Sequence, residues 1–408
     1  MKFKPAAEKT SWGGSRFIAE LGKSYTEKVE DAAAEGGRKK YVEMPLTSSD
    51  KIGESWELAD LGFRDSEVVN GWLAGSTISE VLETYLEDIV GENVYSGFGR
   101  QFPLMVKFLD VKGRTPVMVC PDDEIASQRY DTLGKFKMWH VLDAEPGSFL
   151  YMGLRDGISA SELYDRCHDG TLENVLNVVT PHKGDSYLIP SGLIHGAGDG
   201  VLLAEISESS DLDFKIYDAG HADDLALEAA FDFIDFGKYD NVWTVPAGSR
   251  SGKAFDSNVK STTDADAVSG PAADKLVSRK EFTVTRIALK DALHINTGTT
   301  DAFLLYVCIS GSASLQIHNE AVVDKYDVKS GEVIMVPAEV TDFFAVPQSR
   351  DTVLLEVTIE PYEVQDAYID PDVEATLPDG GDNDDVKKPS VEDFLKMKAG
   401  SGKEWPLN

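Results

Sequence analysis

The strongest constraint on the fold is a series of short apolar runs that are separated by turn residues in the middle of the chain. The run Pro103–Leu109 leads through a glycine-containing turn to a second run, Thr115–Cys120, and a third lies within Gly134–Leu142. A fourth is enclosed in Gly184–Gly198, where Gly-Asp and Pro-Ser-Gly turns stand on either side of it. Short runs bounded in this way predict β-strands and not helices.

The same pattern returns in the C-terminal half of the chain. Between Lys280 and Pro361 strand-like segments recur at short spacing, with Gly331 and Pro337 among the turn residues between them. The segment SGEVIMVPAEV is similar to KGDSYLIPSGL in the first half, which indicates an internal duplication. In the second copy Glu339 follows the proline, and no histidine accompanies it.

Two of the helices predicted among the strands are amphipathic. One begins at Thr77 or Ser79, carries Leu86 on its apolar face and ends at Gly91. The other is the amphipathic segment Leu225–Phe236.

The composition is that of an acidic globular protein. The 408 residues include 39 Lys and Arg against 71 Asp and Glu, which gives a formal net charge of −32 at pH 7. Such a surface repels nucleic acids and anionic membranes, so neither is an expected partner. It does not attract a phosphorylated sugar either, so any anion site must be built locally.

The cysteines and the N-terminus predict the compartment. Three cysteines, Cys120, Cys167 and Cys308, form no disulfide framework and indicate a reducing environment. The first residues contain no apolar signal core, and no long apolar run follows them. A cytoplasmic protein is therefore expected.

Several motifs resemble the type I phosphomannose isomerase (mannose-6-phosphate isomerase) family of the cupin superfamily. They are WGG, GESWE and NGWLAG near the N-terminus, the strands described above, and the Gly-Asp, Pro-Ser-Gly and His sequence of residues 184–198. The resemblance covers about Ser11 to Glu360. It implies an all-β fold of two tandem cupin-type, jelly-roll-like barrels with helical decorations.

The resemblance and the composition together suggest a division of the chain into five parts. They are N-terminal strands and a helix that pack on the first barrel (1–95), a first barrel with the catalytic-type pocket (96–245), a Ser-, Gly-, Ala- and Asp-rich linker or loop (246–278), a second barrel (279–362), and an acidic tail with a terminal helix (363–408).

The family's chemistry implies a metal site at four positions. The family interconverts mannose 6-phosphate and fructose 6-phosphate through an enediol, and one divalent metal, usually zinc, acts as the Lewis acid. Family members hold it with a Gln-x-His pair, a Glu two residues after a Lys, and a His after Pro-x-Gly. The matching positions of this chain are Met118, Cys120, Lys137 and His195, of which only His195 is unchanged.

These replacements predict that zinc is absent or weakly bound. A thioether is a poor zinc ligand, whereas Cys120 as a thiolate can join His195 in a ligand set. Lys137 is the severe change, because an ammonium ~4 Å from a dication at an effective dielectric constant of ~20 repels it by roughly 8 kcal/mol. The ammonium group of Lys137 can instead supply the positive charge that the metal ion provides in the family.

Other functional positions of the family are retained. Lys135 matches the substrate-contacting lysine, and Glu205 matches the acidic residue near the path of proton transfer. Lys215 replaces an arginine, which keeps the charge and loses the planar fork. The resemblance thus implies Lys135, Glu205 and Lys215 as catalytic-type residues, with Lys135, Lys137 and Lys215 as substrate-binding residues.

Simpler interpretations exist for most of these side chains. His195 is equally well explained as a core histidine, and His140 and His182 are expected to be structural or exposed. Cys120 is better explained as a small buried hydrophobe than as a nucleophile. Glu205 can serve only as an ion-pair partner of Lys137 or Lys135.

Three functions follow. The first is a family member that binds a sugar or sugar phosphate with weak or lost isomerase activity. The second is an active isomerase with a rebuilt metal site, in which Cys120, His195 and Glu205 hold a metal or Lys137 replaces it. The third is a non-catalytic regulatory or scaffolding protein. The sequence leaves the oligomeric state and the identity of the sugar open.

Overall fold

The computed structural model describes most of the chain. The described residues are 1–30, 41–219, 225–237, 239, 244–247, 272–298, 300–319 and 322–360. The predicted acidic tail and most of the predicted linker lie outside these residues.

The N-terminal part of the chain is built mainly of strands. These are β1 (Ala6–Gly14), β2 (Thr26–Glu30), β3 (Tyr41–Pro45), β4 (Ile52–Leu58), β5 (Leu104–Val111), β6 (Val117–Val119), β7 (Lys137–Ala144), β8 (Phe149–Leu154), β9 (Leu176–Val179), β10 (Ser186–Ile189), β11 (His195–Gly198), β12 (Val201–Glu208), β13 (Phe214–Tyr217) and β14 (Thr244–Val245). The four runs predicted from the middle of the sequence are all strands.

These strands form two sheets that pack face to face. One has the order β1-β4-β5-β12-β7-β10-β14 and the other the order β13-β6-β11-β8-β9, while β2 and β3 form a separate hairpin. Apolar side chains from both sheets meet between them, including Leu109, Trp139, Leu150 and Leu203. Strands β1 and β4, from the region expected to pack on the barrel, are part of its larger sheet.

The C-terminal part repeats this arrangement. Its strands are β15 (Ala272–Ser278), β16 (Thr283–Ala288), β17 (Leu293–Asn296), β18 (Leu304–Ser310), β19 (Ser312–Asn319), β20 (Val322–Lys329), β21 (Val333–Val336), β22 (Asp342–Pro347) and β23 (Val353–Thr358). They form one sheet of order β15-β16-β23-β18-β21 and a second of order β17-β22-β19-β20. The fold is therefore all-β, with two tandem cupin-type barrels.

The register of the two barrels shows the duplication in detail. Trp139 on β7 lies opposite Glu205 on β12, and Tyr306 on β18 lies opposite Glu356 on β23. In both pairs the aromatic side chain donates a hydrogen bond of 2.7 Å to the carboxylate. The two barrels thus keep one buried aromatic–glutamate pair at equivalent places.

The two barrels share a continuous apolar core. Phe102 packs against Phe303 with ring centroids 4.8 Å apart, and Phe136 packs against Phe282 at 5.4 Å. All four rings are buried. Their burial fixes one barrel against the other.

The helices are short and lie around the sheets. They are α1 (Arg16–Ala19), α2 (Ile78–Tyr85), α3 (Glu87–Val90), α4 (Glu92–Phe98), α5 (Asp123–Tyr130), α6 (Ala160–His168) and α7 (Leu227–Ala230), with a 3₁₀ turn at Leu172–Asn174. None of the helices in the described part of the chain is long and apolar enough to cross a membrane.

Both helix predictions need correction. Thr77 caps α2 through a capping box with Glu80, but the helix ends at Tyr85 and not at Gly91. Leu86 takes a φ of 43°, which breaks the helical hydrogen bonding, and α3 begins after it. In the segment Leu225–Phe236 only Leu227–Ala230 is α-helical.

Candidate active site

Neighbouring strands of the larger sheet place charged side chains on the inner face of the first barrel. Glu205 on β12 lies opposite Lys107 on β5 and opposite Trp139 on β7. Directly opposite residues point to the same face of a sheet, and Lys137, two residues before Trp139, shares that face. The sheet therefore gathers two lysines and a glutamate inside the barrel.

Asp213 joins this cluster from the segment between β12 and β13. Its Oδ1 lies 2.5 Å from the Nζ of Lys137, and its Oδ2 forms a close ion pair with Lys135. The thiol of Cys120 donates a hydrogen bond of 3.1 Å to the same Oδ1. The side chains of Lys135 and Lys137 are 0% and 1% exposed, against 18% for Asp213. Asp213 thus bridges two buried ammonium groups and separates them from solvent.

Glu205 is held on the other side of Lys137. Its Oε2 accepts a 2.7 Å hydrogen bond from the Nε1 of Trp139 and lies 4.0 Å from the Nζ of Lys137. Its Oε1 lies 3.4 Å from the Nζ of Lys107, which is also 3.4 Å from Glu54. Lys107 is therefore the nearest lysine partner of Glu205.

The pKa shifts keep the members of this cluster charged. Burial by itself raises the pKa of Glu205, but the charges of Lys137, Lys107 and Lys135 outweigh it and lower that pKa to about 2. The same competition leaves the pKa of Asp213 well below its usual range. Burial disfavours the charged form of Lys137, but the neighbouring Asp213 and Glu205 raise its pKa above the ordinary value.

His195 contributes a neutral imidazole. Its Nδ1 donates a 2.9 Å hydrogen bond to the carbonyl of Leu193, and its Nε2 is buried without a hydrogen-bond partner among the described residues. Burial, together with the charge of Lys137, lowers the pKa of His195 to about 3. The free nitrogen therefore carries a lone pair at neutral pH.

The structure also places the remaining predicted residues. Met118 lies opposite His195 on one side and opposite Lys215 on the other, so the three share one face of the smaller sheet. His140 is buried, with its Nδ1 2.8 Å from the hydroxyl of Ser186. His182 is exposed. His140 thus has a structural position, as expected.

The comparisons with known proteins agree with this fold. A mannose-6-phosphate isomerase of Streptococcus mutans serotype c is 25% identical over 335 residues, which are 81% of this chain and 89% of that protein. Mannose-6-phosphate isomerase ManA of Bacillus subtilis strain 168 is 29% identical over 222 residues, which are 54% of this chain and 61% of that protein. The crystal structure of the mannose 6-phosphate isomerase from Bacillus subtilis superposes with a TM-score of 0.68 at 23% identity, covering 87% of this chain and 98% of that chain. No family model matches the chain.

The chain is thus similar to mannose-6-phosphate isomerases in sequence and in fold.

The family's zinc can be tested against the side chains that this chain offers. Cys120, His195 and Asp213 bring one potential ligand atom each to within 4.8 Å of one another, and the unpartnered Nε2 of His195 suits coordination. However, both oxygens of Asp213 are taken by lysines, and burial raises the pKa of the Cys120 thiol. With the side chains in these positions, the site fits the ammonium group of Lys137 and does not fit a dication such as zinc.

Asp213 is the member of this charged cluster that sequence reasoning missed. The sequence likewise led to no predicted role for Lys107, Glu54 or Trp139. One signal was present, because Lys107 interrupts the apolar run of β5, and a lysine inside a buried strand requires a counter-ion. The identity of that counter-ion follows only from the packing of β4 and β12 beside β5.

Proposed function

We propose that this member of the mannose-6-phosphate isomerase family binds a sugar or sugar phosphate without a bound zinc ion, and that its isomerase activity is weak or lost. The observation that carries this proposal is the ion pair between Lys137 and Asp213, 2.5 Å apart inside the first barrel. In it, a buried ammonium stands at a position that matches a metal ligand of the family.

The electrostatics of the cluster support low activity. Isomerisation through an enediol needs a concentrated positive charge near the substrate oxygens, and a divalent metal supplies it in the family. Lys137 supplies a single charge, and Asp213 already neutralises it. The loss of such an electrostatic stabiliser typically raises a barrier by several kcal/mol.

Glu205 is also poorly suited to proton transfer. A general base works best when its pKa lies near the operating pH. The lysines around Glu205 hold its pKa at about 2, and Trp139 occupies its Oε2. It therefore acts better as a fixed anion than as a base.

Ligand access depends on the segment that carries Asp213. Lys135, Lys137, His195 and Glu205 are all nearly inaccessible, and Asp213 is the partly exposed member of the group. The two residues before it line a cavity of about 390 Å³, together with Arg100 and Gln101 on its rim. None of the side chains of the charged cluster lines this cavity, so a ligand bound there contacts Lys135 and Lys137 only if the segment that carries Asp213 rearranges.

Three measurements on one preparation test the proposal. The first is the metal content of protein purified without chelator. The second is the rate of conversion of mannose 6-phosphate to fructose 6-phosphate. The third is the affinity for mannose 6-phosphate and for mannose, measured by calorimetry. We expect less than stoichiometric zinc, turnover far below that of ordinary metabolic enzymes, and measurable binding that Lys137→Met weakens. Lys23→Met is the matched control, because Lys23 forms a buried 2.7 Å pair with Glu57 outside this cluster. Turnover of the usual size, or no binding of either ligand, contradicts the proposal.

A second candidate rests on the proximity of Cys120, His195 and Asp213. If Lys137 leaves Asp213 when metal is offered, these three side chains can hold zinc and the chain is an active isomerase with a rebuilt site. Stoichiometric zinc, together with activity that a chelator abolishes and zinc restores, identifies this case.

A further inference from the structure

A second cavity of about 360 Å³ lies at the open edge of the second barrel. Its inner wall is apolar, with Leu315, Ile334, Val336 and Phe343 from β19, β21 and β22. Residues 70–73, before α2, together with Tyr85 at the end of α2 and Asp88 and Ile89 in α3, complete the lining. None of the charged residues of the first barrel's cluster lines it, so the two sites are separate.

An aromatic rim surrounds the entrance. Trp72 is 78% exposed, and its ring meets that of Tyr85 edge to face at 5.3 Å and 89°. This contact fixes the indole while most of its surface remains in solvent. The half-buried Tyr326 adds a third aromatic ring to the lining.

Two carboxylates stand on the same rim. The main chain of Glu339 donates a 3.0 Å hydrogen bond to the carbonyl of Asp88, and Ala338 bonds to Ile89 at 2.9 Å, so the two acidic residues are neighbours. Both are exposed. Within the described residues, neither carboxylate has a hydrogen bond or an ion pair, in contrast to the paired carboxylates of the first barrel.

Among the described residues around this cavity, no basic side chain lines the wall to balance this negative charge. The lining side chains include no lysine, arginine or histidine. Burial also lowers the pKa of the Met1 amino group, which borders the cavity, to about 5, so that group adds no charge at neutral pH. The entrance is therefore negative and aromatic, and the interior is apolar.

We propose that this cavity binds an organic cation, whose ammonium group lies at the rim beside Trp72 and the carboxylates of Asp88 and Glu339 while a short apolar body enters the barrel. Aromatic faces and carboxylates together are the surroundings that ammonium groups prefer. The volume is at the small end of the range for small-molecule sites, which limits the apolar body to a short chain or one ring. The same negative charge disfavours phosphates, so this is not a second sugar-phosphate site.

Isothermal calorimetry with four probes of similar size tests the proposal. Hexyltrimethylammonium and hexylamine carry the cation, 1-hexanol is the neutral analogue, and hexanoate is the anion. We expect both cations to bind at least about tenfold more tightly than hexanol, with hexanoate weakest, and added salt to reduce the difference. Equal binding of hexanol and the cations, or no cation binding at millimolar concentration, overturns the proposal.

Variants locate the binding. Trp72→Ala and the double change Asp88→Asn with Glu339→Gln are each expected to weaken hexyltrimethylammonium binding about three- to tenfold, since exposed cation–aromatic and ion-pair contacts have this size. Glu87→Gln and Tyr41→Ala are matched controls, because both residues are exposed and neither lines the cavity. The three side chains changed in the test variants are exposed, so the fold is retained. Unchanged affinity in both test variants places the cation elsewhere and contradicts the assignment.

Discussion

The ammonium nitrogen of Lys137 lies 2.5 Å from the Oδ1 of Asp213, and the thiol of Cys120 donates a hydrogen bond to that same oxygen. One carboxylate oxygen thus gathers Lys137 and Cys120, which the sequence comparison above matched to metal-ligand positions. Because Asp213 also holds Lys135, the cluster is close to neutral without any bound ion. This balance underlies the first two predictions.

Replacing Lys137 should destabilise the protein strongly. Lys137→Met leaves Asp213 and Glu205 with one lysine fewer in a buried site, and breaking a buried ion pair typically costs about 3 kcal/mol or more. Urea unfolding measures the change in the free energy of unfolding. Lys112→Met is the control, because Lys112 is 62% exposed beside Glu145 and should change that free energy by less than about 1 kcal/mol. Equal stability of the two variants would show that the ammonium is not needed.

Restoring the family's ligand set should create a zinc site. The triple change Met118→Gln, Cys120→His and Lys137→Glu supplies the missing donors beside His195 and removes the repelling charge, so its zinc affinity should exceed that of each single variant. Zinc titration by calorimetry makes the comparison, with His195→Ala in the triple background as the control that loses the site. A triple variant that binds no more zinc than the wild type rules out this location of the site.

The equivalent aromatic–glutamate pairs of the two barrels should differ in their contribution to stability. Tyr306→Phe removes the donor to the buried Glu356, whose pKa burial raises, and should cost about 1–3 kcal/mol. Trp139→Phe removes the donor to Glu205, which stays charged, and a lost bond to a charged group costs more. Thermal and urea unfolding measure both. A larger loss for Tyr306→Phe would reverse the expected order.

Acid should destabilise the protein before the ordinary carboxylates titrate. Burial, aided by the charge of Arg286, lowers the pKa of His140 from about 6.5 to about 4. The unfolded chain therefore binds this proton first, so the stability from a neutral His140 is complete above about pH 6.5 and falls as the pH drops towards 4. The loss is about 3 kcal/mol over this range.

Urea unfolding between pH 8 and 4 measures this dependence, and His140→Gln should remove the share that His140 contributes while leaving the share of His195, whose pKa burial also lowers. Nuclear magnetic resonance gives an independent check, because the imidazole signals of His140 should not shift above pH 5. A titration of His140 near pH 6.5 would contradict the prediction.

Much of the fold could be predicted from local pattern. Apolar runs bounded by Gly, Pro and Asp turns predicted β5, β6, β7 and β10, and the two similar proline segments predicted the duplication. The helix from Thr77 was predicted at its start but not at its end. The capping box is a local signal, whereas the positive φ of Leu86 has no local sequence signature.

What the sequence by itself determined is the set of strands and the face on which each side chain lies. Alternation along β7 places Lys137 and Trp139 on one side, and the Pro-Ser-Gly turn places His195 at the start of β11. These features depend on neighbours in the chain, so pattern reasoning reaches them.

Only the tertiary structure decided which groups neutralise the buried charges. Asp213 is 76 residues from Lys137 in the sequence and 93 from Cys120, and it meets them because β12 returns beside β7 before the chain turns to β13. Many acidic residues of this chain were equally available as partners by composition. A buried ammonium requires a nearby anion, but only the packing of distant segments selects Asp213 for that role.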